Sequence, residues 1–315
     1  MSEQDDTELD ADVIEQAPRQ FRLPALFALP GLRAVIGSGR RWLVFIAAAC
    51  ALLAVAATLT AFRLTESPSG DPALAGLVRE VTTVPVGDSA PGLPVSASSA
   101  AYSSTLTVTG PLTSVNGPPL THSGKPEVLY VGTEYCPYCA IENWPLIVAL
   151  SRFGQFTGLD TSRSPEFDHI APIDSWTFYG TRYTSSYLSF TPVEQYSNVP
   201  VNASADPDTP GSYRQLQQLT PAEQAIVTKY DRGGLNPFLD FGNRAVQVGS
   251  GPIPTQLMTG KSWPRLAAAL RQPKTDLGGA LLTEADSLTA ELCRLTGDRP
   301  ASACPVFIQS IQLPS

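Results

Sequence analysis

Two cysteines separated by two residues are the part of this sequence best suited to chemistry. Cys136 and Cys139, with Pro137 and Tyr138 between them, follow a short apolar run at residues 128–131. The residues after them are apolar at intervals of three or four, so the pattern predicts a strand that leads into a helix. Amides and the dipole at a helix N-terminus would favour the thiolate of Cys136. Such a dithiol can exchange two electrons with another protein through a mixed disulfide.

The same spacing is also found in half of a zinc site and in structural disulfides. A structural zinc site needs two further ligands with a similar pairing. The sequence offers only His122, His169 and the more widely spaced Cys293 and Cys304. We therefore expect no metal, and nothing in the sequence indicates a nucleotide, haem or other cofactor. A permanent structural disulfide stays open as the alternative to a redox-active pair.

Length and composition exclude some partners. The 315 residues suffice for one large domain with extensions or for two small domains. The net charge of -8 argues against nucleic acid as a partner. With 29 Pro, 24 Gly and 16% charged residues, the chain favours long ordered loops over a helical bundle.

The N-terminal part predicts a membrane anchor. Residues 1–41 are first acidic and then rich in arginine, which predicts a disordered cytoplasmic segment. Residues 42–62 are uncharged over the length that a bilayer core requires. Because arginines cluster before this run, the positive-inside rule places the N-terminus in the cytoplasm and the rest outside the plasma membrane. A cleaved signal peptide is the alternative, and Cys50 is interpreted as a small apolar residue of the anchor.

The remaining chain divides into a linker, a globular domain and an extension. Residues 63–124 are rich in Pro, Ser and Gly and predict a linker, with a short helix at 72–80 and a strand at 104–109. The globular domain is expected at 125–274. It should contain a strand, a helix to about residue 153, a strand at 174–180, a capped helix at 220–230, a hairpin at 238–241 and 245–248, and a helix at 263–271.

Two further predictions concern the C-terminal cysteines and three aromatic residues of the globular domain. Residues 275–315 predict a helical extension with a helix at 281–295, and a Cys293–Cys304 disulfide would attach the tail to it. Two free buried thiols are the alternative. Tyr183, Tyr187 and Phe190 are interpreted either as core residues or as part of a substrate-binding face.

In this order of elements the chain resembles the thioredoxin-fold disulfide oxidoreductases. The Cys136-Pro-Tyr-Cys139 motif is similar to the glutaredoxin motif and to that of extracytoplasmic oxidases. The segment from Lys229 to Pro237 is similar to the thioredoxin sequence Lys-Tyr-Gly-x-Arg-Gly-Ile-Pro-Thr. The resemblance implies an α/β, thioredoxin-like fold with a long insertion and extra C-terminal helices, preceded by one transmembrane helix. It also implies that Pro237 is a cis-proline facing the dithiol, with Pro254 as the second candidate.

A closer resemblance covers roughly residues 73–315. The anchor, the run that begins at Gly124 and the C-terminal cysteine pair resemble an uncharacterised thioredoxin-like family of membrane-anchored proteins. No substrate is established for that family, so the resemblance does not predict one.

Together these features predict a membrane-tethered extracytoplasmic thiol–disulfide oxidoreductase. Cys136 is expected to be the exposed nucleophile and Cys139 the more buried resolving thiol, with Pro137 and an exposed Tyr138 facing the substrate. The expected partners are extracytoplasmic protein thiols or disulfides and a membrane redox partner. The alternative is a non-enzymatic interaction or scaffold domain of the cell envelope with a structural disulfide.

Two acidic residues adjoin the predicted dithiol. Glu134 and Glu142 either oppose the thiolate of Cys136 or are solvated side chains at the surface.

Overall fold

The computed structural model describes residues 72–87, 112–167, 169–202, 204, 206 and 209–311. The predicted N-terminal segment, the anchor at 42–62, Cys50 and the predicted strand at 104–109 lie outside the described residues. Within the described ranges, no helix is both long enough and apolar enough to cross a membrane.

The described chain is a mixed α/β structure. Its helices are α1 (Pro72–Thr82), α2 (Pro137–Ser151), α3 (Pro221–Tyr230), α4 (Trp263–Ala269), α5 (Asp276–Thr296) and α6 (Val306–Gln309). Its strands are β1 (Thr113–Ser114), β2 (Thr121–His122), β3 (Lys125–Gly132), β4 (Gly154–Thr157), β5 (Asp160–Arg163), β6 (Asp174–Thr177), β7 (Arg182–Ser185), β8 (Ser189–Glu194), β9 (Tyr196–Pro200), β10 (Tyr213–Gln215), β11 (Phe238–Phe241) and β12 (Ala245–Val248).

The main sheet is built around β3. On one side β3 pairs in parallel with β8, and on the other it pairs antiparallel with β11. The sheet continues through β12 to β1, both antiparallel to their neighbours, and β2 pairs with the start of β3. The parallel pair requires a long crossover between β3 and β8, and α2 begins that crossover.

Helices cover both faces of this sheet, as the alternation of side chains along β3 requires. Val128 and Tyr130 belong to the larger core, which also contains buried residues of α2 and α5. Leu129 and Val131 point the other way, into a smaller core completed by residues of α3. Because both faces of β3 are buried, this strand reads as a continuous apolar run and not as an alternating one.

The chain between α2 and β11 carries additional strand pairs. They are β4 with β7, β5 with β6, and β9 with β10, all antiparallel. The strand predicted at 174–180 is β6, which pairs with β5 outside the main sheet. Tyr183, Tyr187 and Phe190 pack against the larger core, which favours the core interpretation of these aromatic residues.

Part of the predicted linker contributes to the core. Val81 of α1 is fully buried in the larger core, and β1 pairs with β12 in the main sheet. Arg152, at the end of α2, donates to the Pro85 carbonyl (3.3 Å) and forms a buried ion pair with Asp286 of α5 (2.7 Å). Residues 72–87 are therefore attached to the two long helices.

Helix α5 is longer than the sequence predicted. Thr275 caps its start, because its hydroxyl accepts the Gly278 N–H (3.1 Å), and Gly297 ends the helix with φ 65°. Cys293 and Cys304 form a disulfide, so the alternative of two free thiols does not hold. This bond attaches the segment before α6 to the end of α5.

Candidate functional site

Cys136 is the N-cap residue of α2, at the junction that the sequence predicts. Its backbone is extended (φ −79°, ψ 121°), and its sulfur accepts the Cys139 N–H at 3.4 Å. Pro137 takes the first helical position, where a missing N–H costs nothing. Pro145 lies inside α2, and the helix continues through it. The two cysteines thus lie one turn apart at the helix start.

A distant segment of the chain closes the other side of Cys136. The Asn236–Pro237 peptide bond is cis, and Pro237 itself is buried. The Cys136 thiol donates to the Asn236 carbonyl at 3.6 Å, a long contact that suits sulfur. Pro254, the second candidate, is not among the described cis prolines and precedes a short 3-10 turn.

The prediction that Cys136 is exposed is wrong. Only 6% of Cys136 is exposed, and Pro137 is buried as well. Tyr138, also expected to be exposed, is half-buried. The reason is an aromatic cluster, contributed in part by β9 and β10, that packs against both cysteines.

The aromatic cluster is centred on Tyr135. Its ring stacks on Tyr213 of β10, with 4.4 Å between centroids and an interplanar angle of 11°. Phe167 and Tyr196 approach from the insertion, with centroids 5.2 Å and 6.3 Å from that of Tyr135. The sequence did not predict this aromatic cluster, because none of its ring contacts joins residues that are close in sequence.

The two thiols are free and differ in acidity. Burial raises the pKa of Cys136, but hydrogen bonds from the Cys139 thiol and from the backbone N–H groups of Cys139 and Tyr138 outweigh burial, so its pKa is lowered. Burial raises the pKa of Cys139 well above its usual value, and the hydrogen bond to Cys136 and nearby negative charge add to this. Cys136 is therefore the thiol that ionises first.

Glu134 is half-buried, and its carboxylate is hydrogen-bonded within the fold. Its carboxylate accepts the Thr177 hydroxyl (2.6 Å) and the Asn198 N–H (3.2 Å), and its own N–H donates to the Tyr196 carbonyl (2.9 Å). Thr177 lies in β6, and Asn198 and Tyr196 lie in β9. Glu134 therefore fixes the dithiol turn to the inserted strands.

Glu142 was also misplaced by the sequence interpretation. It is fully buried, and its carboxylate accepts the Gly251 N–H at 2.6 Å. Burial raises its pKa to about 7. Glu142 faces the core beside Glu284 of α5, so it belongs to the helix packing and not to the surface around the thiols.

Sequence reasoning missed a third acid, Glu194, at the end of β8. It is fully buried; one carboxylate oxygen accepts the Phe178 N–H (3.2 Å), and the other has no hydrogen-bond partner among the described residues. Burial raises its pKa to about 8, and the charges of Glu134 and Cys136 add to the effect. Only the pairing of β8 with β3, which the sequence does not display, brings this acid to the dithiol.

No group of three or more His, Cys, Asp or Glu side chains in the described part of the chain is arranged to hold a metal ion. His122 and His169 are both exposed.

Comparison with known proteins finds a similar family for part of the chain. Residues 111–252 are similar to a family described as a domain of unknown function (DUF929). This span includes Cys136, Cys139 and Pro237, and it ends before the C-terminal disulfide. No curated protein and no solved structure matches the chain significantly.

Proposed function

We propose that this protein is a thiol–disulfide oxidoreductase that acts on protein cysteines through Cys136 and Cys139. One arrangement carries the proposal: a free thiol caps a helix, accepts a backbone N–H, and contacts the carbonyl before Pro237, with a second free thiol one turn further on. Helix-start amides stabilise a thiolate. The neighbouring thiol can then close a small disulfide ring.

The chemistry follows from the different acidity of the thiols. The Cys136 thiolate attacks a sulfur of a partner disulfide, the partner's S–S bond breaks, and one partner sulfur leaves as a thiolate. Cys139 then loses its proton and attacks Cys136 in the mixed disulfide. The Cys136–Cys139 disulfide forms, and the partner leaves with both of its sulfurs reduced. In the reverse direction the same steps oxidise a partner dithiol.

Glu194 is placed to take the proton of Cys139. It is buried, one of its oxygens has no hydrogen-bond partner among the described residues, and its charge acts on the Cys139 thiol. A carboxyl whose pKa is raised to about 8 is a stronger base than an ordinary glutamate. We assign it the role of general base in the second step.

The arrangement of elements supports a thioredoxin-like fold for this activity. The strand order β8-β3-β11-β12, with β3 parallel to β8 and the hairpin β11–β12 after Pro237, supports this fold. So does the position of Pro237 immediately before β11. The strand pairs between α2 and β11 account for the long insertion between Cys139 and Pro237.

We further propose that the domain is tethered to the outer face of the plasma membrane by residues 42–62. The uncharged run and the arginines before it support this location. The Cys293–Cys304 disulfide suits an oxidising compartment. The partners would then be extracytoplasmic protein thiols or disulfides and a membrane redox partner.

A redox titration tests the proposal. The protein is equilibrated with glutathione mixtures of defined potential, its thiols are alkylated, and the products are counted by mass. A Cys136–Cys139 couple that titrates well above about -300 mV marks an exchanging dithiol, since structural disulfides lie below that value. A couple that stays oxidised throughout, like Cys293–Cys304, contradicts the proposal.

A second candidate function is a scaffold domain of the cell envelope with a structural disulfide. The burial of both Cys136 and Cys139 favours it, because a buried thiol meets partners slowly. Exchange with a generic disulfide substrate separates the two candidates. A scaffold domain should show no thiol–disulfide exchange at any pH.

A further inference from the structure

The hydroxyl group of Tyr130 is buried beneath the dithiol, and the exchange steps above give it no role. Tyr130 is fully buried, and its ring packs edge-on against Phe178 with 4.9 Å between centroids. A buried phenol O–H normally has a hydrogen-bond partner, because removing it from water without one costs free energy. Among the described residues, no group meets the geometry of a hydrogen bond to Tyr130 Oη, although the Cys139 side chain lies close enough to interact with it. The ring is explained by packing, but the hydroxyl is not.

The sheet register places this hydroxyl with Glu194. Tyr130 and Gly132 lie two positions apart in β3, so they share one face of the sheet. Gly132 is paired with Glu194 across the parallel β3–β8 ladder, which puts the Glu194 side chain on that same face. The face is the one covered by α2, the helix that carries Cys139. Tyr130 Oη and Glu194 Oε2, two buried polar atoms without a geometric hydrogen-bond partner among the described residues, therefore share the face that α2 covers, and both groups act on Cys139.

Gly132 provides the space for the hydroxyl. A Cβ atom at this position would lie 2.2 Å from Tyr130 Oη, so the hydroxyl occupies the room that a side chain would need. The hydroxyl is thus directed along the strand toward the turn that carries the cysteines. Any larger residue at 132 would displace it.

The interactions of Tyr130 agree with this position. Burial raises the pKa of Tyr130, and the charge of Glu194, the charges of both thiols and a side-chain interaction with Cys139 raise it further. The phenol therefore stays protonated at neutral and mildly alkaline pH. It can donate a hydrogen bond there, and the Cys139 sulfur is the acceptor that it faces.

We propose that Tyr130 is a positioning residue that donates a hydrogen bond to the Cys139 thiolate while Cys139 resolves the mixed disulfide. This inference rests on the proposed function. The proton leaves Cys139 for Glu194, and the Tyr130 O–H then stabilises the sulfur anion. The anion attacks Cys136, the bond between Cys136 and the partner breaks, and the partner leaves as a thiolate. Tyr130 keeps its own proton throughout.

The groups that govern the titration of Cys139 come from three elements. Tyr130 faces it from β3 and Glu194 from β8, while Cys136 and the Thr133 N–H face it from the turn before α2. Glu134 acts indirectly, because its charge raises the pKa of Glu194. A variant at Tyr130 removes one hydrogen-bond donor and leaves all the ionisable carboxyl groups in place.

The test separates the two exchange steps in one experiment. The reduced full-length protein, in a Cys50→Ala background, is mixed with excess 5,5′-dithiobis(2-nitrobenzoate). Cys136 releases the first nitrothiobenzoate as it forms a mixed disulfide, and Cys139 releases the second as it closes the ring. Both releases are followed by absorbance between pH 6 and pH 9. The variants compared are Tyr130→Phe and, as control, Tyr183→Phe, which loses a half-buried hydroxyl that donates to the Leu150 carbonyl (2.8 Å).

We expect Tyr130→Phe to slow the second release about tenfold, the scale of one hydrogen bond to a charged group. Its pH profile should also move to higher pH, while the first release stays unchanged. Tyr183→Phe should match the wild type in both phases. A Tyr130→Phe protein with an unchanged second phase and pH profile overturns the inference and leaves the proposed function intact. A wild-type protein that never releases the second equivalent overturns both.

Discussion

Glu142 of α2 and Glu284 of α5 direct their carboxyl groups at the same glycine inside the core. The Gly251 N–H donates to Glu142 at 2.6 Å, and a Cβ atom on Gly251 would lie 2.3 Å from the Glu284 carboxyl carbon. Neither acid takes part in an ion pair within the described part of the chain. Burial raises the pKa of both, and the charge of Glu142 raises that of Glu284 further. Both carboxyl groups therefore hold their protons more tightly than exposed glutamates do, at the place where α2, α5 and the chain after β12 meet.

This pair makes stability depend on pH in a defined direction. The pKa of Glu142 is about 7 in the fold against about 4.5 in the unfolded chain, so the folded state binds the proton more tightly. The stability that the protonated Glu142 contributes to the fold is fully present below pH 4.5 and is lost as the pH rises through 7. We expect the melting temperature to fall over this window and Glu142→Gln to flatten the decline. At pH 8 the variant should be more stable, by at most about 3 kcal/mol.

Thermal unfolding of both proteins from pH 4.5 to pH 8.5 provides the measurement. The matched control is Glu166→Gln, which neutralises an exposed glutamate and should leave the curve parallel to that of the wild type. A Glu142→Gln protein whose melting temperature keeps the full wild-type slope would show that this carboxyl is not the titrating group.

The same contact predicts a steric requirement at residue 251. Gly251→Ala brings a methyl group within 2.4 Å of a Glu284 carboxylate oxygen, too close for any real contact. We expect the substitution to destabilise the fold by roughly 1–3 kcal/mol, the usual cost of overpacking. In a Glu284→Ala background the clash disappears, so the effect of Gly251→Ala should shrink markedly. Additive losses in a double-mutant cycle would argue against direct contact.

The roles of the two cysteines predict different failures. Cys136→Ser should abolish exchange with protein disulfides, because it removes the nucleophile. Cys139→Ser should still attack but cannot resolve, so mixed disulfides with partner proteins should accumulate and appear on non-reducing gels. A Cys136→Ser protein with undiminished exchange would exclude the proposed function.

Local signals in the sequence predicted several elements well. The Thr220 hydroxyl accepts the Glu223 N–H, and Glu223 in return accepts the Thr220 N–H, as a capping box requires. The hairpin β11–β12 has the predicted bounds, with Gly242 and Asn243 at positive φ in its turn. These features succeed because their causes lie within a few residues of one another.

The parts that could not be predicted depend on contacts between distant segments. Cys136 is buried because the insertion folds over the dithiol, and no local pattern in the sequence predicts that packing. Glu194 looks like an ordinary strand-end acid until β8 is known to pair with β3. Glu142 lies on a helix so apolar that every face is buried, and its partner, Glu284, lies on a helix near the C-terminus. Each of these depends on tertiary pairing, and sequence periodicity reports only local structure.

The assignment of Glu194 as the base predicts a distinctive pH dependence. With its pKa near 8, Glu194 becomes able to accept the Cys139 proton as the pH rises through that value. The second release of nitrothiobenzoate should therefore accelerate through pH 8 in the wild type, and Glu194→Gln should lose this rise. The matched control is Glu142→Gln, a buried acid of similar pKa that does not act on the thiols. A Glu194→Gln protein that retains the wild-type profile would assign the proton to another acceptor.

The C-terminal disulfide should contribute to stability and not to exchange. Cys293 and Cys304 are both buried and close a short loop between α5 and α6. Replacing both with alanine should lower the free energy of unfolding by about 2–4 kcal/mol, chiefly because the unfolded chain gains freedom. The two-phase exchange at the dithiol should persist at temperatures where the variant stays folded. Denaturant unfolding measures the first effect, and the same nitrothiobenzoate release measures the second. Loss of exchange in a folded Cys293→Ala/Cys304→Ala protein would mean that this disulfide takes part in electron transfer with the Cys136–Cys139 pair.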